Sequence, residues 1–245
     1  MIPSMEPGLT EDTLLAGRVR VLQPERGYRI AVDAVLLAAA IDAAPGERVL
    51  DLGAGVGAVG LCLAARVPQC TVVGIELQPA LAQLAVRNAL LNGVAGRLQT
   101  IVHDIARPLP SDLGPFDHVA TNPPYLAAAA ADPSPLRSKA LATVESSADL
   151  ARWLGVAAGA AKPAGTLLVI HRSDRLEEVV SCLVGLGWGD VTIKRLPPAP
   201  RVLVRARRSA AARRREAAPF VLHRPDGGYT DAAEAVLRGA APLAF

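Results

Sequence analysis

The stretch that most limits what this chain can become runs from Arg48 to Gly60: Arg-Val-Leu-Asp-Leu-Gly-Ala-Gly-Val-Gly-Ala-Val-Gly. An apolar run of strand length enters closely spaced glycines, and apolar residues at helical spacing follow over Ala58 to Arg66. Glycines there allow a tight turn and a close approach of backbone to ligand. A buried strand that feeds a helix through such a turn needs parallel neighbours and a covering layer on each face, so an α/β fold is expected. The alternation continues downstream. Strand-like runs fall at Val49 to Leu52, Thr71 to Ile75, Leu98 to Val102, His118 to Thr121, Thr166 to His171, Val191 to Leu196 and Val202 to Arg207. Helical spacing marks Ala58 to Arg66, Pro79 to Leu91, Ser147 to Ala161 and Arg175 to Leu186. The expectation is a seven-stranded, mostly parallel sheet with helices on both faces and an antiparallel last strand. The last two runs follow one another across Pro197, Pro198 and Pro200 with no helix between, so they should pair as an antiparallel hairpin at a sheet edge.

Residues 1–45 read as an appendage packed on a main domain of residues 46–245, with one or two short strands over Leu14 to Leu22 and a helix over Asp33 to Ile41. The alanine runs Ala127 to Ala131 and Ala210 to Ala212 read as loop and mobile link. With 51% hydrophobic residues in 245, the chain can bury an ordinary core. Cys62, Cys70 and Cys182 form no CxxC pair and have no clustered histidines, so no metal site or disulfide framework is expected, and reduced thiols in a cytoplasmic protein are. Glu6, Glu11 and Asp12 stand where a secretory signal would be basic and then apolar, and the apolar stretch Ala31 to Ala44 is too short for a bilayer. No membrane partner is expected. The net charge of +3 conceals an asymmetry: nine basic residues and no acidic one lie between Lys194 and Arg215. Lys194, Arg195, Arg201, Arg205, Arg207, Arg208, Arg213, Arg214 and Arg215 are therefore candidate contacts to the phosphates of a polyanion, which rewards concentrated positive charge. The alternative is a solvated loop whose arginines serve solubility.

The glycine turn and Glu76, at the end of the second strand, together suit an adenosine-containing cofactor whose ribose hydroxyls the carboxylate would accept. Gly55, Gly57 and Gly60 also satisfy GxGxxG, so a dinucleotide is a rival. Asp51 argues against it. A carboxylate facing the turn repels pyrophosphate but attracts the cationic amino-acid end of S-adenosylmethionine, although it could instead cap the turn. Gly53, Ala54, Gly55, Leu77, Ile105 and Asn122 are then expected to contact the cofactor, and Asp104 is placed to bind the adenine amino group or to form a turn. Asp33 either closes the pocket from the N-terminal side or caps the helix that follows it. The acceptor signal is Asn122-Pro123-Pro124-Tyr125, directly after the fourth strand. Two prolines fix φ and remove N–H donors, leaving the Pro123 carbonyl rigidly aimed. That carbonyl and the Asn122 side-chain oxygen can accept both N–H groups of an exocyclic amine, favouring pyramidal nitrogen and stabilising its growing positive charge, while Tyr125 stacks on the base. A proline-stiffened strand exit with a core tyrosine is the plainer alternative.

These residues together resemble the Rossmann-like class I methyltransferases that modify amino groups. Gly27-Tyr28-Arg29, Val32 to Ala38, Asp51 to Gly55, Ile75 to Pro79, Asn122 to Tyr125, His171-Arg172 with Arg175-Leu176, and Pro219 to His223 with Gly228-Tyr229-Thr230 resemble the bacterial family that includes the valine-tRNA adenine-N6 methyltransferase. That resemblance implies S-adenosylmethionine as cofactor, S-adenosylhomocysteine as product, tRNA as partner and N6 of the adenine 3′ of the anticodon as target. Glutamine methylation of translation release factors uses the same core motif, but the enzymes that perform it carry a helical N-terminal domain for which 47 residues leave little room. A non-catalytic RNA-binding protein retaining the fold is the remaining alternative.

Overall fold

The computed structural model describes residues 8–124 and 148–245. An antiparallel hairpin of β1 (Leu9–Leu14) and β2 (Val19–Pro24) precedes α1 (Val32–Ala40). The central unit then runs β3 (Arg48–Leu52), α2 (Ala58–Arg66), β4 (Thr71–Glu76), α3 (Pro79–Leu91), β5 (Leu98–Val102) and β6 (Phe116–Thr121). After the undescribed stretch come α4 (Leu150–Ala160), β7 (Ala161–Arg172), α5 (Leu176–Gly185), β8 (Trp188–Arg195), β9 (Arg201–Arg207), β10 (Ser209–Glu216) and α6 (Asp231–Leu237).

One sheet holds β3 to β10 in the order β10-β8-β9-β7-β6-β3-β4-β5. All neighbours are parallel except where β9 lies antiparallel between β7 and β8. From β3 the chain moves outward through β4 and β5, then crosses to β6 on the other side. The strand order therefore reverses between β3 and β6, and open α/β sheets bind ligands beyond the carboxyl ends of strands at such a reversal. β3, β4 and β6 are buried along almost their whole length because apolar layers cover both faces. Leu36, Leu61 and Leu63 belong to one layer; Leu50, Leu154 and Val179 belong to the other.

Three expectations change. The sheet has eight strands, not seven, and the β8–β9 hairpin is not at its edge. Ala210 to Ala212, expected as a mobile link, lie within β10, which pairs parallel to β8 and forms the edge itself. All of β10 after Ser209 is exposed, so neither face shows apolar alternation; backbone pairing holds it. Gly189 of β8 permits the approach, since a Cβ there would come within 2.8 Å of the Ala211 carbonyl oxygen. The other alanine run, Ala127 to Ala131, lies outside the described residues.

The N-terminal hairpin is clamped to the core by a fully buried amide. Asn88 of α3 accepts from Leu22 N–H (2.7 Å) and donates to the carbonyls of Leu22 (2.9 Å) and Val56 (3.0 Å). Val19 and Val21 join the same apolar layer as α1 and α2. At the other end, the amides of Ala217, Phe220 and Leu222 donate to Ile193, Arg195 and Pro197, carrying the chain along β8 past its end. The Thr230 hydroxyl caps α6, and Ala233 and Val236 bury that helix in the layer of α1. His223 stacks on Tyr229 at 4.7 Å. The closing stretch 219–230 thus has an anchoring role. Among the described residues no helix is long and apolar enough to cross a membrane, and no group of His, Cys, Asp or Glu is arranged to hold a metal ion.

Candidate cofactor and acceptor site

The turn after β3 depends on three glycines with left-handed backbone: Gly53 at φ +80°, Gly55 at +58° and Gly57 at +88°. Its amides are committed. Gly53 and Ala54 N–H donate to the Ile75 carbonyl at 2.8 and 2.9 Å, Gly55 N–H to Glu76 Oε2 at 2.8 Å, and Gly57 N–H to the Ala54 carbonyl at 2.9 Å. A phosphate-binding turn leaves such donors pointing at the ligand. This one does not, which disfavours the dinucleotide reading on geometry as well as charge.

Two buried carboxylates face the same cleft. Glu76 accepts from Gly55 N–H through one oxygen and from Gln78 N–H (2.8 Å) through the other, and each oxygen keeps a lone pair for a diol. Burial raises its pKa, with the amides of Gln78, Gly55 and Leu77 opposing. Asp51 is 2% exposed and has no hydrogen-bond partner among the described residues. Burial first, and then the charge of Glu76, push its pKa up to about 7. Such a carboxylate calls for a cation, and among the described residues the cleft wall contains no lysine or arginine to supply one.

The cleft brings together Asp51, Gly53, Glu76, Leu77, Asp104, Ile105, Asn122, Pro123 and Pro124. Asp104 lines the cleft, and its Oδ1 accepts from Ala106 N–H at 2.9 Å as a turn former does. Ala54 and Gly55 contribute backbone to the turn and are not in the cleft wall. Nor is Asp33. The helix α1 begins at Val32 with Ala31 as its N-cap, so Asp33 sits inside the first turn, where its Oδ2 accepts from Arg201 Nε at 3.0 Å. Asn122 ends β6, and its side-chain Oδ1 is buried with no hydrogen-bond partner among the described residues. The strand is fixed there by Thr121, whose hydroxyl donates to the Leu52 carbonyl at 3.0 Å. His171 is fully buried near the end of β7, and burial brings its pKa down to about 4, so it is neutral. Tyr125 lies outside the described residues.

Several lining residues were not anticipated, Tyr28, Trp153 and His103 among them. Tyr28 reaches the cleft from the segment before α1. Trp153 of α4 packs on the turn so closely that a Cβ on Gly53 would meet its ring at 2.8 Å. His103 follows β5, its amide bonded to the Glu76 carbonyl (3.0 Å) and its Nε2 buried with no hydrogen-bond partner among the described residues.

The basic segment is not one surface. In β-sheet register Asp190 stands between Arg207 and Arg213, and Thr192 between Arg205 and Arg215, so these four arginines share one face with Lys194. Arg214 projects to the opposite face and pairs with Glu177 at 2.7 Å. Arg208 is held there too, over Trp188 and bonded to the Ala158 carbonyl. Arg195 and Arg201, at the carboxyl edge, pair with Glu216 and Asp33. On the four-arginine face, Lys194 is 7% exposed and bonded to the Ala218 carbonyl, Arg205 stacks on Phe245 and Arg215 pairs with Asp190. Arg207 and Arg213 are exposed with no hydrogen bond or ion pair among the described residues.

Residues 29–141, which span the turn, both carboxylates and the strand exit at Asn122, match the family model described as the methyltransferase small domain. That match covers less than half of the chain. Over 104 residues the chain is 38% identical to proteins named tRNA1(Val) (adenine(37)-N6)-methyltransferase from Yersinia pestis and Yersinia pseudotuberculosis, a match covering 42% of this chain. It covers 42% of the length of those relatives as well. Among solved structures, a predicted O-methyltransferase from Agrobacterium tumefaciens superposes with TM-score 0.70 at 26% identity, covering 87% of this chain and 99% of that one. An O-methyltransferase from neocarzinostatin biosynthesis, solved with S-adenosylmethionine, superposes with TM-score 0.50 at 21% identity over 70% of this chain and 52% of its own. The architecture is the Rossmann-like class I fold of S-adenosylmethionine-dependent methyltransferases.

Proposed function

We propose that this methyltransferase-domain chain uses S-adenosylmethionine to methylate N6 of an adenine in tRNA, at the position 3′ of the anticodon. The residues fit the cofactor: Asp51 is a buried carboxylate awaiting the ammonium, Glu76 keeps lone pairs for the ribose diol, and Asp104 faces the adenine end. When bound, S-adenosylmethionine supplies an electrophilic methyl group. The observation that carries the choice of a nitrogen acceptor is the buried Asn122 Oδ1, unpartnered and followed by two prolines in the same cleft. That oxygen and the Pro123 carbonyl accept the two N–H groups of the amine and draw its lone pair out of ring conjugation. Such preorganised acceptors favour a neutral amine over a hydroxyl, whose single proton uses only one of them. Nitrogen gains a methyl and loses a proton, which leaves to water once positive charge has formed. Asp51 and Glu76 remain with the cofactor and need not act as bases.

The RNA acceptor draws support from the 38% identity to the Yersinia enzymes and from the face bearing Arg205, Arg207, Arg213 and Arg215. A cytoplasmic site of action follows from that substrate. Incubation with radiolabelled S-adenosylmethionine plus either total tRNA or a translation release factor tests the reading. Label in N6-methyladenosine of tRNA is expected; label confined to protein glutamine would transfer the chain to the other acceptor class, and none in either would support a binding protein.

A further inference from the structure

An amino-acid cofactor tail brings a carboxylate as well as an ammonium, and this cleft has an unusual shortage of groups to receive an anion. Among the described residues no lysine or arginine lines it, and the amides of Gly53, Ala54, Gly55 and Gly57 are already spent on Ile75, Glu76 and Ala54. Asp51 and Glu76 add negative charge. An unpaired carboxylate placed there would be strongly penalised.

Tyr28 meets the requirement. Gly27, at φ +95°, turns the chain toward the cleft, and the Tyr28 ring lies on the glycine turn. A Cβ on Gly55 would overlap the Tyr28 hydroxyl, so that hydroxyl rests against the Gly55 backbone, and Tyr28 lines the same cleft as Asp51 and Gly53. It has no hydrogen-bond partner among the described residues. We infer that Tyr28 binds the carboxylate of the cofactor's amino-acid end, its hydroxyl donating to that group while Asp51 accepts from the ammonium on the same carbon. The assignment rests on the cofactor being S-adenosylmethionine.

A neutral donor suits the place. A guanidinium there would pair with Asp51 and Glu76, satisfying the carboxylates before the cofactor arrives and repelling its sulfonium. Burial, with Glu76 and Asp51 adding to it, holds the phenol's ionisation well above its usual range, so the proton stays on oxygen at any physiological pH. The same contact explains why residue 55 must be glycine for a reason besides its φ: any side chain would displace the hydroxyl.

The test is a cycle of two proteins and two ligands, each pair measured by calorimetry: wild type and Tyr28→Phe, with S-adenosylmethionine and its decarboxylated analogue. In the wild type the carboxylate should strengthen binding roughly ten- to hundredfold, the range for a hydrogen bond to a charged group. In Tyr28→Phe that preference should fall below about threefold, with the decarboxylated analogue binding both proteins alike. Retention of the full preference in Tyr28→Phe overturns the assignment, as does equal weakening of both ligands, which would make the ring merely structural. Wild type that binds neither ligand would remove the cofactor reading itself, a result the cycle keeps separate.

Discussion

Asp51→Asn is expected to make the ligand-free protein more stable and, at the same time, unable to hold its cofactor tightly. The buried carboxyl has a pKa of about 7 against 3.8 for the ordinary group. Its folded-state value lies above the unfolded one, so between pH 3.8 and 7 the folded chain binds more protons and stability falls as pH rises. The loss is complete above pH 7. A difference of about 3 pKa units corresponds to about 4 kcal/mol, which becomes the upper limit of the gain from a neutral isostere at pH 8. At pH 5, only about one unit above the unfolded value, the gain should shrink below about 2 kcal/mol. Urea unfolding of both proteins at pH 8 and pH 5 reads this directly. Saturating S-adenosylhomocysteine should reverse the order at pH 8, because its ammonium partners the wild-type carboxylate and not the amide. A substitution that is neutral or destabilising at pH 8, or a gain that does not diminish by pH 5, would refute the view of Asp51 as a strained anion waiting for a cation.

Asn122→Ala should lower the methyl-transfer rate by about two to three orders of magnitude while leaving the S-adenosylhomocysteine Kd within about twofold, since it removes an acceptor used by the amine alone; single-turnover kinetics and calorimetry check the two halves. His171 should shape the acid limb of stability. Its folded pKa of about 4 lies below the usual 6.5, so its contribution is whole above pH 6.5 and is lost as pH falls toward 4, about 3 kcal/mol in all. Urea midpoints of His171→Gln should therefore change less than those of wild type between pH 6.5 and 4.5. The double substitution Arg207→Glu, Arg213→Glu should weaken tRNA binding across all sequences and reduce the magnitude of the salt slope by about two, whereas Arg214→Glu on the opposite face should leave that slope unchanged in filter-binding titrations.

How far the sequence discloses this molecule depends on whether the deciding physics is local. The strands around Leu50, Val73 and Val119 are buried on both faces, and their runs of apolar and β-branched residues mark them without outside help. Helices α2 and α3 coincide with their spacing end to end, since each is bounded by glycine, proline or a basic residue. β10 had no such mark. A strand wholly exposed at an edge needs no apolar alternation, and Ser-Ala-Ala-Ala-Arg-Arg-Arg-Glu states nothing about the partner strand or about Gly189, which lets it come close.

The site divides along the same line. Asp51, Glu76 and Asn122 each end a strand within a recognisable local pattern, and topology alone carries them to one cleft. Tyr28 and Trp153 reach the turn from segments 27 residues before Gly55 and 100 residues after Gly53, so their roles exist only once the chain has closed. Asp33 and Arg201 are 168 residues apart, and no spacing rule could reveal that each withdraws the other from the task its own neighbourhood suggested. Charge followed the same course: the density of arginines between Lys194 and Arg215 was plain, but strand register decides which of them share a face. Arg207 and Arg213 flank Asp190 on adjacent strands, and that one carboxylate is already engaged by Arg215. Two cations facing a single occupied anion remain available to an external polyanion. The proposed phosphate-binding surface therefore rests on Arg207 and Arg213, six positions apart in the sequence and brought to one face only by strand register.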